Sequence, residues 1–161
     1  YESEPMYIDA LKKSLEKKIF EIKWKPDIII ASYHGIPMKY FNKGDPYHCY
    51  CQKTTRLLSE SFKHEIPIQT TFQSRFGPQE WLQPYTDKTL EKLPKEGKKN
   101  VLVICPGFSS DCVETLEEIG IQGKEAFIKE GGNNFDIVSC LNDSKDHIEL
   151  MFHLVNKYLI K

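Results

Sequence analysis

Two short runs in this chain are apolar at every position: Ile28-Ile29-Ile30-Ala31 and Val101-Leu102-Val103-Ile104. A strand with one wet face alternates apolar and polar side chains. A strand in a parallel sheet is covered on both faces and reads as an unbroken apolar run. Around the two runs the periodicity switches repeatedly between strand-like and helix-like. Strands are expected over residues 27–32, 66–73, 101–105 and 135–140. Amphipathic helices are expected over residues 6–20, 47–62, 111–129 and 144–159, with a shorter one over 86–93. The last of these is read as amphipathic through Ile148, Met151, Phe152, Val155 and Leu159. Residues 35–46, rich in Gly, Pro, Asn and Asp, read as a loop, and 131–134 as a turn. The alternation implies an α/β fold: a doubly wound parallel four-stranded sheet flanked by helices, with right-handed crossovers.

The 161 residues suit one domain with one sizeable core. A formal net charge of −1 gives no electrostatic ground for a nucleic-acid partner or an anionic surface. The apolar runs are strand-sized, too short for a membrane-spanning helix. Tyr1 opens the sequence without a secretory pattern behind it, as expected of a piece cut from a longer chain. Cys49, Cys51, Cys105, Cys112 and Cys140 form no even framework, which fits reduced thiols and a cytoplasmic location. Cys49 and Cys51 lie two apart on an expected helix, point in different directions, and read as ordinary residues. Neither a G-x-G-x-x-G or P-loop pattern nor a G-x-S-x-G elbow occurs, so nucleotide binding and serine hydrolysis have no support.

Chemistry in an open α/β sheet collects outside the carboxyl ends of the strands. His34 follows the first buried strand and precedes Gly35, whose bare backbone would let a flat ligand come close. An imidazole can take a proton near neutral pH or ligate iron or zinc. A core histidine bonded to a carbonyl is the competing reading. Asp111, Glu114 and Glu118 recur at i, i+3 and i+7 at the start of the expected helix 111–129. Asp111 as N-cap and Glu114 three residues on would make a capping-box-like pair. Glu118 has no such reason, and stacked acids suit a proton or metal path. Gln73-Ser74-Arg75 ends the second strand, where Arg75 could meet a ligand's carboxylate. Tyr33, Tyr40, Phe76 and Trp81 could stack on a flat ring, although plain packing explains each one as well.

Five motifs carry a resemblance: Ser32-Tyr33-His34-Gly35-Ile36-Pro37, Gly44-Asp45-Pro46-Tyr47, Thr71-Phe72-Gln73-Ser74-Arg75-Phe76-Gly77, Trp81-Leu82-x-Pro84-Tyr85-Thr86-Asp87, and the run from Cys105-Pro106-Gly107-Phe108 through Glu118. In this order they closely resemble bacterial ferrochelatase, which inserts ferrous iron into protoporphyrin IX, and they match its carboxyl-terminal half. The resemblance implies an enzyme (a metal-chelating lyase) with a porphyrin cleft between two similar halves, the amino-terminal half being the partner absent here. It implies His34 and Glu114 as catalytic and metal-meeting residues facing each other across the macrocycle. It implies Asp111 and Glu118 on a proton or metal path, and Tyr33, Ser74, Arg75 and Trp81 at the porphyrin. Protoporphyrin IX and Fe2+ would be substrates. No resident cofactor and no iron–sulfur cluster are expected; a peripheral membrane contact is left open, and the surface exposed by the missing half implies self-association of the fragment. A single-domain cobalt chelatase is disfavoured, because those enzymes tend to carry a second histidine where this chain has Glu114. A non-catalytic metal- or porphyrin-binding fragment is the other alternative.

Overall fold

Four parallel strands, β1 (Ile28–His34), β2 (Ile68–Gln73), β3 (Asn100–Ile104) and β4 (Asn134–Ile137), lie in the order β2-β1-β3-β4 in the computed structural model, which describes residues 1–159. The expected parallel four-stranded sheet is therefore the observed one. Ile29 pairs with Ile68 on one side and with Leu102 on the other, which puts β1 and β3 at the centre. That placement explains why only these two strands are apolar at successive positions. Each has a covered face above and below.

Side chains alternate across a strand, so the sheet divides the core in two. Ile29, Ala31 and Tyr33 face a layer made by α1 (Pro5–Glu21), the helix Tyr47–Ser61 and the helix Lys145–Leu159. Ile28, Ile30, Val101 and Val103 face the opposite layer, which supplies Leu90, Ile119 and Phe127. That layer consists of the helix Thr86–Lys92, a 3₁₀ turn Leu93–Glu96, a π-helix Glu114–Gly123 and the helix Lys124–Lys129. The chain order alternates strand and helix, and right-handed crossovers place the helices on both faces. With the short helix Met38–Asn42, the α-helices after α1 are α2 (Met38–Asn42), α3 (Tyr47–Ser61), α4 (Thr86–Lys92), α5 (Lys124–Lys129) and α6 (Lys145–Leu159).

Several expectations need correction. The segment 35–46 is not all loop, since α2 forms within it. The expected α-helix over 111–129 begins only at Glu114 and runs as a π-helix before α5. In α6, Leu150 is fully buried, His147 is buried, and Met151 and Leu154 pack on the core. Ile148, Phe152, Val155 and Leu159, read from the sequence as part of its packing face, are exposed and form a second apolar stripe. The α6 periodicity was real, but it carries two stripes and only one is covered. Cys49 is exposed and Cys51 buried, as their spacing on a helix requires. No helix among the described residues is long and apolar enough to cross a membrane.

Candidate active site

His34 ends the central strand β1 and is held from three sides. Its Nδ1 lies 2.7 Å from the Gly35 carbonyl oxygen. A carbonyl only accepts, so Nδ1–H is the donor here, and in a neutral ring Nε2 is then the atom with the lone pair for a proton or a metal. The Tyr47 hydroxyl donates to the His34 carbonyl at 2.8 Å, and the Phe108 ring stands 6.2 Å from the imidazole, centroid to centroid. The structure places His34 at the end of β1, the position expected for it.

Gly35 has a different job from the one its position implied. A β-carbon there would lie 2.9 Å from the Gln73 carbonyl oxygen and 3.3 Å from the Trp81 ring. The space beside its backbone is filled from inside the chain and is not open to a ligand. Its N–H donates to Gln73 O at 2.8 Å, and Leu82 N donates to Ile36 O at 3.0 Å. The turn after His34 is thus fastened to β2 and to the Trp81 segment.

On the same face of the sheet, Glu114 opens the π-helix as a partly exposed residue. Its carboxyl group is held below the ordinary range, first by its own backbone N–H, then by the Cys112 thiol. It is ionised at neutral pH. One face therefore presents a basic lone pair and a carboxylate, from segments far apart in sequence. Among the described residues no group of three or more His, Cys, Asp or Glu side chains gathers at ligating distance. A metal meeting only these two side chains would keep most of its coordination positions for another ligand.

The other two acids are engaged elsewhere. Asp111 is not the cap of the helix, whose start has no side-chain cap. Its Oδ2 accepts from Asn142 Nδ2 at 2.7 Å, and its Oδ1 from Cys140 N at 3.1 Å and Thr115 Oγ1 at 3.2 Å. Donors from the loop after β4 outnumber the single turn a cap would serve. Glu118 Oε1 accepts from Ser74 N at 2.6 Å and its Oε2 from Ser74 Oγ, also at 2.6 Å. Ser74 adopts φ +64°, a left-handed conformation that points its N–H and hydroxyl at the same carboxylate. Glu114 and Glu118, four apart on one helix, repel as like charges, and these donors offset that.

The remaining candidates divide by strand parity. Tyr33 and His34 are neighbours and so face opposite sides of the sheet. Tyr33 is buried among α1 and α3, with its hydroxyl 3.0 Å from Thr55 Oγ1. Trp81 is buried beneath the Gly35 turn and donates from Nε1 to Phe76 O at 3.1 Å. Arg75 pairs with Asp87 and lies 3.9 Å over the Tyr85 ring, so its charge already has an internal carboxylate. Of these four, Ser74 alone shares the face and the helix contacts of the acids. A cavity of about 490 Å³ opens beside it, lined by Ser74, Arg75, Asp87, Leu90, Glu118 and Gln122; neither His34 nor Glu114 lines it. Sequence reasoning gave no role to Gln73, Tyr47, Phe108 or Cys112. The one usable signal was Gln73, a polar residue closing an otherwise buried strand opposite His34.

A family model described as Ferrochelatase matches residues 1–159. Over 160 residues the chain is 53% identical to a ferrochelatase of Rhizobium meliloti, a match covering 99% of this chain and 47% of that protein. A ferrochelatase of Rhizobium etli is 54% identical over 160 residues, covering 99% and 46%. One from Brucella ovis is 51% identical over 161 residues, again covering 99% and 46%. The chain spans about half the length of the curated relatives it matches.

Proposed function

Because the chain belongs to the ferrochelatase family, we propose that it supplies the proton-accepting and metal-meeting face of an enzyme that inserts ferrous iron into protoporphyrin IX, forming protohaem. The observation that carries this reading is the His34 imidazole, its Nδ1 donating to the Gly35 carbonyl, on one face with the ionised Glu114 carboxylate. Metal insertion expels two pyrrole protons, so the site needs a base aimed at the ring and a negative group that tolerates a dication. His34 Nε2 takes the first proton, since a neutral imidazole accepts near pH 7. Glu114 offsets the charge of the incoming iron, which is a substrate here, and two protein ligands leave room for four pyrrole nitrogens. Ser74 and the adjoining cavity border the macrocycle, with Glu118 and Asp111 leading away from it. Tyr33, Trp81 and Arg75 act on the porphyrin from behind, by holding the walls.

The relatives' additional length provides the opposite side of the cleft. Bending the ring to expose nitrogen lone pairs needs binding contacts away from the reacting centre, and those contacts come from both sides. Zinc insertion into protoporphyrin, followed by fluorescence, tests the proposal with the chain alone and with the remaining half of a relative supplied. His34→Ala is expected to lower turnover by about 100-fold or more, the usual scale for removing a general base. Near-normal insertion by His34→Ala would falsify the assignment.

A further inference from the structure

The residue that joins the two reacting groups is neither of them. Gln73 ends β2, is 3% exposed, and stands opposite His34 in the β1–β2 register. Its backbone carbonyl accepts the Gly35 N–H at 2.8 Å. Its side chain reaches the other way: Nε2 donates to the Glu114 carbonyl oxygen at 2.7 Å and lies 3.4 Å from Glu118 Oε2. Oε1 accepts from the Ser32 hydroxyl at 2.7 Å and from the Cys105 thiol at 3.7 Å. Ser32 is fully buried and also lies 2.8 Å from Thr86 Oγ1, so the sheet side fixes which way the amide points.

An amide alone satisfies both ends, because it accepts on one side and donates on the other. A carboxylate would turn a lone pair against the Glu114 carbonyl. An apolar side chain would take away the Ser32 hydroxyl's partner at Gln73 Oε1 and leave it only Thr86 Oγ1. The π-helix begins without a side-chain cap, so its first turn depends on what grips it from outside. Gln73 grips it at Glu114, the partly exposed residue that bears the carboxylate.

We propose that Gln73 is a positioning residue: it clamps the first turn of the π-helix to the end of β1 and so sets where the Glu114 carboxylate stands relative to His34 Nε2. This rests on the reading that His34 and Glu114 carry the chemistry. A displacement near 1 Å at a reacting group can cost about 100-fold in rate, which is the scale the clamp would control.

Two measurements test it. The first needs no turnover: amide hydrogen exchange on the chain itself, comparing wild type with Gln73→Met. Exchange across Glu114–Gly123 is expected to rise about tenfold while β3 and β4 keep their protection, a change matching the loss of roughly one buried hydrogen bond. The second is zinc insertion in the assay above, where kcat per folded molecule should fall about 10- to 100-fold with the porphyrin KM within about twofold. A residue that only stabilised the fold would lower the folded fraction and leave kcat per folded molecule unchanged. If Gln73→Met does not fold, Ser32→Ala keeps the amide but removes the donor that orients it, and carries the same expectations at smaller size. Unchanged π-helix exchange in the variant that folds overturns the clamp, as does unchanged kcat. Loss of insertion in His34→Ala with normal kcat in the Gln73 variant would sink the Gln73 role alone. Intact insertion in His34→Ala would sink the reading beneath it, while the exchange result would still decide the clamp.

Discussion

At Asp111, burial favours the neutral acid, yet hydrogen bonds from Asn142, from the Cys140 backbone and thiol, and from Thr115 outweigh it and hold the carboxyl group below its usual range. Its folded-state value lies under the unfolded value of about 3.9, so its stabilisation is complete above that pH and is lost as pH falls through the folded value. Asp111→Asn should therefore be less stable at pH 7 by about 1–3 kcal/mol. Urea denaturation at a series of pH values should show the difference from wild type shrinking below about pH 4. A constant difference down to pH 3 would contradict this. Gly35 makes a second residue-scale case. Gly35→Ala forces a β-carbon against the Gln73 backbone oxygen at 2.9 Å, and backbone cannot swing aside. Overpacking of this kind costs about 1–3 kcal/mol, readable in thermal denaturation. His34 and Glu114 could be picked out from sequence because strand ends and helix starts meet at the carboxyl rim. Tyr33, Trp81 and Arg75 could not be judged, because a motif gives adjacency and not direction. Strand parity turned Tyr33 away from His34, and Asp87 had already met Arg75.

The π-helix is the element that the sequence most misrepresented. Thr115, Ile119 and Gly123 are its buried positions, at steps of four. At 3.6 residues per turn two such steps drift by about 80°, still within the apolar stripe of an ordinary α-helix. The spacing therefore reads as ordinary amphipathicity, and the wider turn could not be seen in it. The consequence for Glu118 is that it faces β2, where Ser74 receives it. Removing a carboxylate that accepts such bonds costs about 1.5–3 kcal/mol. Glu118→Ala should then raise amide exchange within Glu114–Gly123 by about 10- to 100-fold, and Glu118→Gln by less. Unaltered protection in Glu118→Ala would show that the latch does not hold the helix. Such local opening lies at the low-stability end of the fold, where mobile functional elements are drawn from.

Over the whole molecule, the sheet was the most legible feature. Burial on both faces writes itself into consecutive apolar positions, and β1 and β3 announced themselves as the centre. The exposed stripe Ile148, Phe152, Val155 and Leu159 on α6 was not legible, because periodicity marks an apolar face without saying whether anything covers it. A contiguous apolar surface of this kind seeks a partner. For the chain alone, sedimentation velocity should show association that grows with concentration and is reversed by Phe152→Glu. A concentration-independent monomer would count against it. The parallel topology also bears on how the molecule is made. No two neighbouring strands are joined by a tight turn: Ile28 in β1 must wait for Val101 in β3, and Asn100 for Asn134. Pairings between such distant positions close large loops before they are rewarded, which slows folding and leaves apolar strands unpaired meanwhile. As the chain leaves the ribosome, β1 emerges before β2 and β3 and keeps both edges open until they follow. The same central strand that presents His34 is thus the segment with the longest need of a chaperone's shelter.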